Sequence, residues 1–234
     1  MSQIDYQGSE LEVFAHARNW KRYIRSQVDE YVHGTVLEVG AGMGSNALCY
    51  LDNNHERWVC LEPDPRLATC IEKNDTLKTC EVIVGTVADL PLSEQFDAIL
   101  YMDVLEHIAD DAAELRESAK RLRPNGRIVA LSPAHSWLFT PFDTAIGHYR
   151  RYNAAMLRDL TPPGMELDLL RYLDVVGIGA SLANRIFLSS ASPTVDQVKT
   201  WDSILVPLSR RIDPLLAYKV GKSILSVWRA RNSV

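Results

Sequence analysis

The spacing of apolar residues changes its period several times along these 234 residues. Val13, Ala17, Trp20, Ile24, Val28 and Tyr31 recur every three or four positions. That spacing predicts an amphipathic helix of about five turns. Ser9-Glu-Leu-Glu12 reads as its capping box, and Gly34 ends it. Short apolar runs then follow at Val36–Val39, Arg57–Glu62, Cys80–Val84, Phe96–Tyr101 and Arg127–Ser132. Helical stretches are predicted between them at Ser45–Leu51, Arg66–Lys73 and Asp111–Leu122, the last capped by Asp110. Runs and helices alternating in this way predict an α/β fold with a parallel sheet and helices on both faces.

Beyond Pro133 the pattern loosens. A short helix is predicted at Asn153–Leu160 and a sixth strand at Met165–Val176. Residues 177–218 read as a helical insertion before a final strand at Ser223–Arg229. Within the insertion, Thr194-x-x-Gln197 can cap a helix with Val198, Trp201, Leu205, Leu208 and Ile212 on one face, kinked at Pro207. The plan is one domain. Residues 1–34 form a helical cap, 35–133 a cofactor-binding core and 134–234 a substrate-side segment.

Composition narrows the class. The hydrophobic fraction is 47%, enough for one sizeable core. Net charge is −5 with basic residues dispersed, which gives nucleic acid no continuous basic face. The four cysteines form no C-x-x-C pair, so neither zinc nor a disulfide framework is indicated. The N-terminus has no signal-peptide pattern, and the longest apolar stretch, Leu173–Ala183, is short and broken by glycine. A cytoplasmic protein without stable membrane insertion is expected, as monomer or homodimer.

The densest chemistry lies in Val36-Leu-Glu-Val-Gly-Ala-Gly-Met-Gly44. A strand, a glycine turn and a helix form the usual cofactor seat of an open parallel sheet. The third glycine comes one residue too early for the dinucleotide fingerprint Gly-x-Gly-x-x-Gly. Glu38, two residues before the first glycine, would repel a pyrophosphate. A cationic cofactor suits the site better. S-adenosyl-L-methionine carries a sulfonium and an ammonium and no phosphate. Glu38 can attract the ammonium, and Glu62, ending the second run, can accept both ribose hydroxyls.

Here the chain resembles the class I S-adenosylmethionine-dependent methyltransferases, in a bacterial small-molecule subgroup. The matching residues are Leu37-Glu-Val-Gly-Ala-Gly-Met-Gly44, Leu61-Glu-Pro-Asp64, Gly85–Pro91, Phe96–Ile108 and Leu122–Arg127, in the family's order. The resemblance implies a Rossmann-like seven-stranded sheet whose last strand is antiparallel. It implies cofactor contacts at Glu38, Gly40, Ala41, Gly42, Gly44, Glu62 and Pro63. It also implies Met102 and Asp103 beside the methyl group. Many relatives place an acid near the adenine where this chain has Thr86, so Thr86, Val87 or Asp89 is left for that task. Residues 133–139 and 147–152 resemble the same bacterial subgroup, which shares no single substrate.

Methyl transfer from a sulfonium is an in-line displacement that needs alignment and, for an O–H or N–H⁺ acceptor, a base. His135 follows the fifth run at the ligand-binding edge and is the first candidate; His148 is the second. His107 reads as structural, and Asp110 and Asp111 as helix caps rather than metal ligands. Arg150 and Arg151 can hold an anionic acceptor or pair with Asp143 or Asp159. Trp20 and Tyr23 can pack on the sheet or cover the site. The expectation is O-methylation of a small molecule without metal. A lipid-linked or glycan acceptor and a non-methylating cofactor-binding protein are the alternatives.

Overall fold

The computed structural model describes residues 10–50, 55–179, 181 and 194–231. The strands are β1 Gly34–Val39, β2 His55–Glu62, β3 Glu81–Val84, β4 Phe96–Met102, β5 Leu122–Pro133, β6 Met165–Leu173 and β7 Ser223–Ala230. They form one seven-stranded sheet in the order β3-β2-β1-β4-β5-β7-β6. The first five pair in parallel, and β7 runs antiparallel between β5 and β6. Both the sheet and its antiparallel last strand match the expected Rossmann-like class. Strand β1 is buried at every residue from Thr35 to Val39, as a central strand covered on both faces must be.

The helices are α1 Glu10–Phe14, α2 Arg18–Val28, α3 Pro65–Glu72, α4 Asp111–Ala119, α5 Pro141–Ala145, α6 Ala154–Asp159, α7 Val195–Thr200 and α8 Val206–Leu215. On one face of the sheet, Trp20, Tyr23, Ile24 and Val28 of α2 share a core with Val36, Trp58 and Leu100. On the other, Leu115 of α4 and Leu157 of α6 pack with Leu37, Val59 and Ile99. Alternate β1 residues therefore enter different layers. No helix among the described residues is long and apolar enough to cross a membrane.

Four local departures from the sequence pattern have physical causes. The single N-terminal helix is two, broken at Ala15–Ala17. Asp202 brings its carboxylate to the start of α2, accepting the N–H groups of Asn19 (3.0 Å) and Trp20 (2.8 Å). A cap borrowed from a residue so far along the chain leaves no trace in the local sequence. Ser9 and its capping box lie outside the described residues. Among the described residues, no α-helix follows the glycine turn. Leu48 N–H reaches the Gly44 carbonyl, and the chain tightens at once into a 3₁₀ turn, Ala47–Cys49. Leu51 lies outside the described residues. The Thr194/Gln197 capping box forms as expected, and the expected kink at Pro207 takes the form of a change of helix type. α7 widens into a π-helical stretch, Trp201–Leu205, and α8 starts with Pro207 in its first turn. The wider turn leaves room for a ring that lacks an N–H and would clash with the carbonyl four residues back. Finally, β6 stops at Leu173. Asp174 turns the chain at φ +66 and accepts the Gly177 N–H at 3.0 Å, so residues 175–179 are helical.

A buried polar cluster locks this corner. Asp213 accepts the Tyr23 hydroxyl (2.8 Å) and the backbone N–H groups of Asp174 and Val175. Asp174 accepts the Trp201 indole N–H (2.8 Å) and the Ser209 hydroxyl (2.6 Å). These bonds tie the C-terminal helices and α2 to the end of β6, and so set the roof over the sheet's carboxyl edge.

Candidate active site

Gly40, Gly42 and Gly44 adopt φ of +64, +57 and +75 between β1 and the 3₁₀ turn. Only glycine takes such angles without strain. Four N–H groups of this turn are consumed internally. Those of Gly40 and Ala41 go to the Leu61 carbonyl, that of Gly42 to Glu62 Oε2 (2.7 Å), and that of Gly44 to the Ala41 carbonyl. A phosphate cradle needs such groups pointing outward. Added methyl groups separate the glycines' roles. At Gly44 a Cβ would lie 2.5 Å from Leu77, and at Gly40 2.8 Å from Val104. At Gly42 its nearest neighbour would be Leu11 at 3.6 Å, an ordinary contact, and the bare backbone there borders a cavity.

Two carboxylates underlie the turn. Glu62 is buried and accepts N–H bonds from Gly42 and, through Oε1, from Asp64 (2.9 Å). Each of its oxygens retains a lone pair for a further donor. Glu38 is 1% exposed, and its Oε2 accepts the Trp58 indole N–H at 3.1 Å. Its Oε1 has no hydrogen-bond partner among the described residues. Burial pushes the Glu38 carboxyl up to about 7, against the Trp58 bond, the Asn46 side chain and the Lys21 ammonium.

Beside the turn lies a cavity of about 660 Å³, within the range of small-molecule sites. Its walls are largely apolar: Phe14, Trp20, Trp201, Leu138, Phe142 and Ile146. Gly40–Met43 form one end, and Asp103, Glu106 and His148 lie along the polar floor. Asp103, just past β4, takes φ +57, and its N–H is anchored to the Leu131 carbonyl at 2.9 Å. Its side chain is open to the cavity yet enclosed by the molecule. That enclosure pushes its carboxyl up to about 6, against the charges of His148, Lys222, Lys21 and Arg151.

Glu106 is fully buried, and neither carboxylate oxygen has a hydrogen-bond partner among the described residues. Its carboxyl is held well above the usual range, by burial first and then by Asp103. The His148 Nε2 lies 3.9 Å from Glu106 Oε1. The opposite ring nitrogen, Nδ1, meets Asp143 Oδ1 at 3.0 Å. Asp143 also accepts the Arg151 guanidinium on both oxygens (2.8 and 2.9 Å) and the Thr140 N–H and hydroxyl. Burial favours its neutral form, but the bonds from His148 and Arg151 win and hold it well below the usual carboxylate range. His107 packs edge-on to His148, centroids 4.5 Å apart, and is hydrogen-bonded to the Ile146 backbone. Burial, then repulsion from His148, lowers its ring to about 4.

With this geometry in place, comparison with known proteins places the chain. Residues 37–130 match the family model of the methyltransferase domain. Over this segment, under half of its length, the chain carries a methyltransferase domain, similar to those of the class I S-adenosylmethionine-dependent enzymes. A Mycolicibacterium smegmatis protein described as a probable S-adenosylmethionine-dependent methyltransferase is 30% identical over 154 residues, 63% of this chain and 57% of that one. A ubiquinone biosynthesis O-methyltransferase of Nitrobacter winogradskyi is 40% identical over 52 residues, 22% of this chain and 20% of that protein. The chain thus spans under two thirds of either relative. A Thermotoga maritima structure described as a possible histamine N-methyltransferase shares the fold at TM-score 0.63 and 17% identity, covering 95% of this chain and 94% of that one.

Such methyltransferase domains take S-adenosylmethionine, and the glycine turn fits it. Gly42 offers bare backbone, no N–H of Gly40, Ala41, Gly42 or Gly44 is spare for a phosphate, and unpaired Glu38 Oε1 sits below. Among the residues singled out in the sequence, Gly40, Ala41, Gly42, Met102, Asp103, Trp20, His148 and Arg151 line the cavity. Glu38 and Gly44 support the turn from beneath. Glu62 and Pro63 end β2 and Thr86 and Val87 follow β3, all outside the cavity lining. The Thr86 N–H and hydroxyl both bond Asp89 Oδ2, and Val87 is buried.

Three side chains are directed elsewhere. His135 does not reach the cavity: a left-handed backbone (φ +65) stacks its ring on Tyr172, centroids 5.0 Å apart, and on Trp137. Arg150 pairs with Asp111 and donates to the Ala109 carbonyl at 2.7 Å. Tyr23 is buried in the Asp213 cluster. Sequence reasoning passed over Glu106, although it sits inside the matched segment 96–108. It treated Asp143 only as a partner for arginine, and the Thr140-x-x-Asp143 capping box was the readable signal there.

Proposed function

We propose that the protein transfers the methyl group of S-adenosylmethionine to a hydroxyl oxygen of a small, largely apolar acceptor. The observation that carries this reading is the polar floor of Asp103, Glu106 and His148, set inside apolar walls next to the bare backbone at Gly42. Gly40–Gly42, Glu38 and Asp103 hold the methionyl end and its positive charge. Glu62, Pro63, Thr86 and Val87 serve the ribose and adenine. The acceptor's apolar body lies against Trp20, Trp201 and Phe142. In the transfer the C–S bond breaks with its electrons going to sulfur, a C–O bond forms, and the hydroxyl proton passes to the Asp103 carboxylate on the floor. Most of the rate comes from alignment and water exclusion. Asp143 fixes the ring of His148, which faces the acceptor, and Arg151 completes that wall through Asp143 rather than by holding an anion.

A second reading, a lipid-linked acceptor, is favoured by the surface of the C-terminal helices. Ile204, Leu208, Leu215 and Leu216 are exposed there beside Arg210 and Arg211. The test is a labelled-methyl screen over phenols, hydroxy acids, amines and polyprenol-linked sugars, with mass-spectrometric assignment of the modified atom. An O-methyl product of a small molecule supports the main reading. A lipid product supports the second. N-methylation overturns the oxygen assignment, and adenosylhomocysteine binding with no transfer on any acceptor points to a non-methylating role.

A further inference from the structure

We propose that Glu106, His107 and His148 hold a divalent transition-metal ion in the cavity floor, with coordination positions left open toward the acceptor. The three side chains each offer a ligand atom, and these atoms all lie within 4.8 Å of one another. Nitrogen and oxygen ligands sit about 2.0–2.2 Å from such an ion and so roughly 3–3.5 Å from one another, which the set reaches by drawing in by up to about 1.5 Å between pairs. Two imidazoles and a carboxylate are a donor set that suits zinc, manganese or iron, and three protein ligands leave room for a water or a substrate oxygen.

The surroundings argue for an ion independently. Metal-bound histidines nearly always give their other ring N–H to a carboxylate or a backbone carbonyl. His148 does so through Nδ1 to Asp143, and the His107 ring is bonded to the Ile146 backbone. Asp143 is itself immobilised by Arg151 and Thr140, as an outer-shell carboxylate must be. The carboxylate of Glu106 is fully buried with neither oxygen hydrogen-bonded among the described residues. An acid left so costs folding free energy unless something binds it. The Arg151 guanidinium, whose charge acts on Glu106, is already committed to Asp143.

An ion would also explain the chemistry. A hydroxyl bound to a divalent cation loses its proton far more readily, so the acceptor oxygen would attack as the oxyanion. His148 then acts as a ligand on the reacting oxygen's ion. This purpose rests on the methyl-transfer reading; binding of the ion does not. Sequence spacing hid the site because two ligands are adjacent and the third lies in a separate loop. The loops are brought together partly by the Tyr149 N–H on the Glu106 carbonyl (2.8 Å).

The experiment uses the full chain, stripped by chelator and dialysed, then titrated with Co²⁺ in the visible range and with Zn²⁺ and Mn²⁺ by calorimetry. The expected result is one equivalent bound with ligand-field bands. Glu106→Gln and His148→Asn should each weaken binding at least tenfold, and Asp143→Asn should weaken it less. Circular dichroism and adenosylhomocysteine affinity, measured on each variant, control for folding. No saturable binding by the wild type, or binding unchanged in both ligand variants, overturns the site. Metal binding without adenosylhomocysteine binding would leave the site standing and sink the methyltransferase reading; the reverse pattern would sink the site alone.

Discussion

Glu38, proposed above as a cofactor contact, also bears on fold stability. Its carboxyl is raised from an ordinary value of 4.5 to about 7 by burial. The folded chain therefore holds that proton more tightly than the unfolded chain. The stabilising contribution is complete below about pH 4.5 and is lost as pH rises through 7. At 1.36 kcal/mol per pH unit this amounts to about 3 kcal/mol at most. Glu38→Gln should abolish this part of the pH dependence, so that denaturant midpoints of variant and wild type, similar at pH 4.5, diverge in the variant's favour by pH 8. Parallel curves across that range would contradict it. The glycines make a second contrast. Gly44→Ala should lower the melting temperature sharply, because its methyl meets Leu77. Gly42→Ala should cost about 1 kcal/mol from its left-handed backbone while weakening adenosylhomocysteine more strongly. Equal effects of the two on binding would remove Gly42 from the site.

At the level of elements, the sheet was legible and its roof was not. Strands covered on both faces appear as near-continuous apolar runs, and five of the seven stand out that way in the sequence. The glycine turn was equally plain, since three glycines in alternation mark a backbone that takes left-handed angles at low cost. The α1–α2 break is different in kind, because its cause is the carboxylate of Asp202. Removing that long-range cap by Asp202→Ala should cost about 1–2 kcal/mol. It should also speed amide exchange at Asn19 and Trp20, which hydrogen exchange by NMR would detect. Unchanged protection there would mean that packing alone starts α2. His135 and His148 show the same limit in the site. Both sit among aromatics after β5, and only the left-handed backbone at His135 turns one away while Asp143 holds the other in place.

For the whole molecule, the order of the sheet puts the carboxyl ends of β1 and β4 side by side, and the cavity opens over that edge. This is the crevice where open α/β sheets bind ligands. Cofactor chemistry was readable there because it depends on contiguous residues. The acceptor end was not, because its walls come from α1, α2, the π-helical stretch at Trp201 and the segment 138–151, which touch only in the folded chain. The central claim is that this crevice takes a methyl-donor cofactor and not a dinucleotide. Isothermal titration of the wild type and Glu62→Ala with S-adenosylhomocysteine and with NAD tests it most directly. Adenosylhomocysteine should bind the wild type at micromolar concentration, roughly 1–3 kcal/mol more weakly in Glu62→Ala, with no heat from NAD. Saturable NAD binding with no response to adenosylhomocysteine would contradict the account.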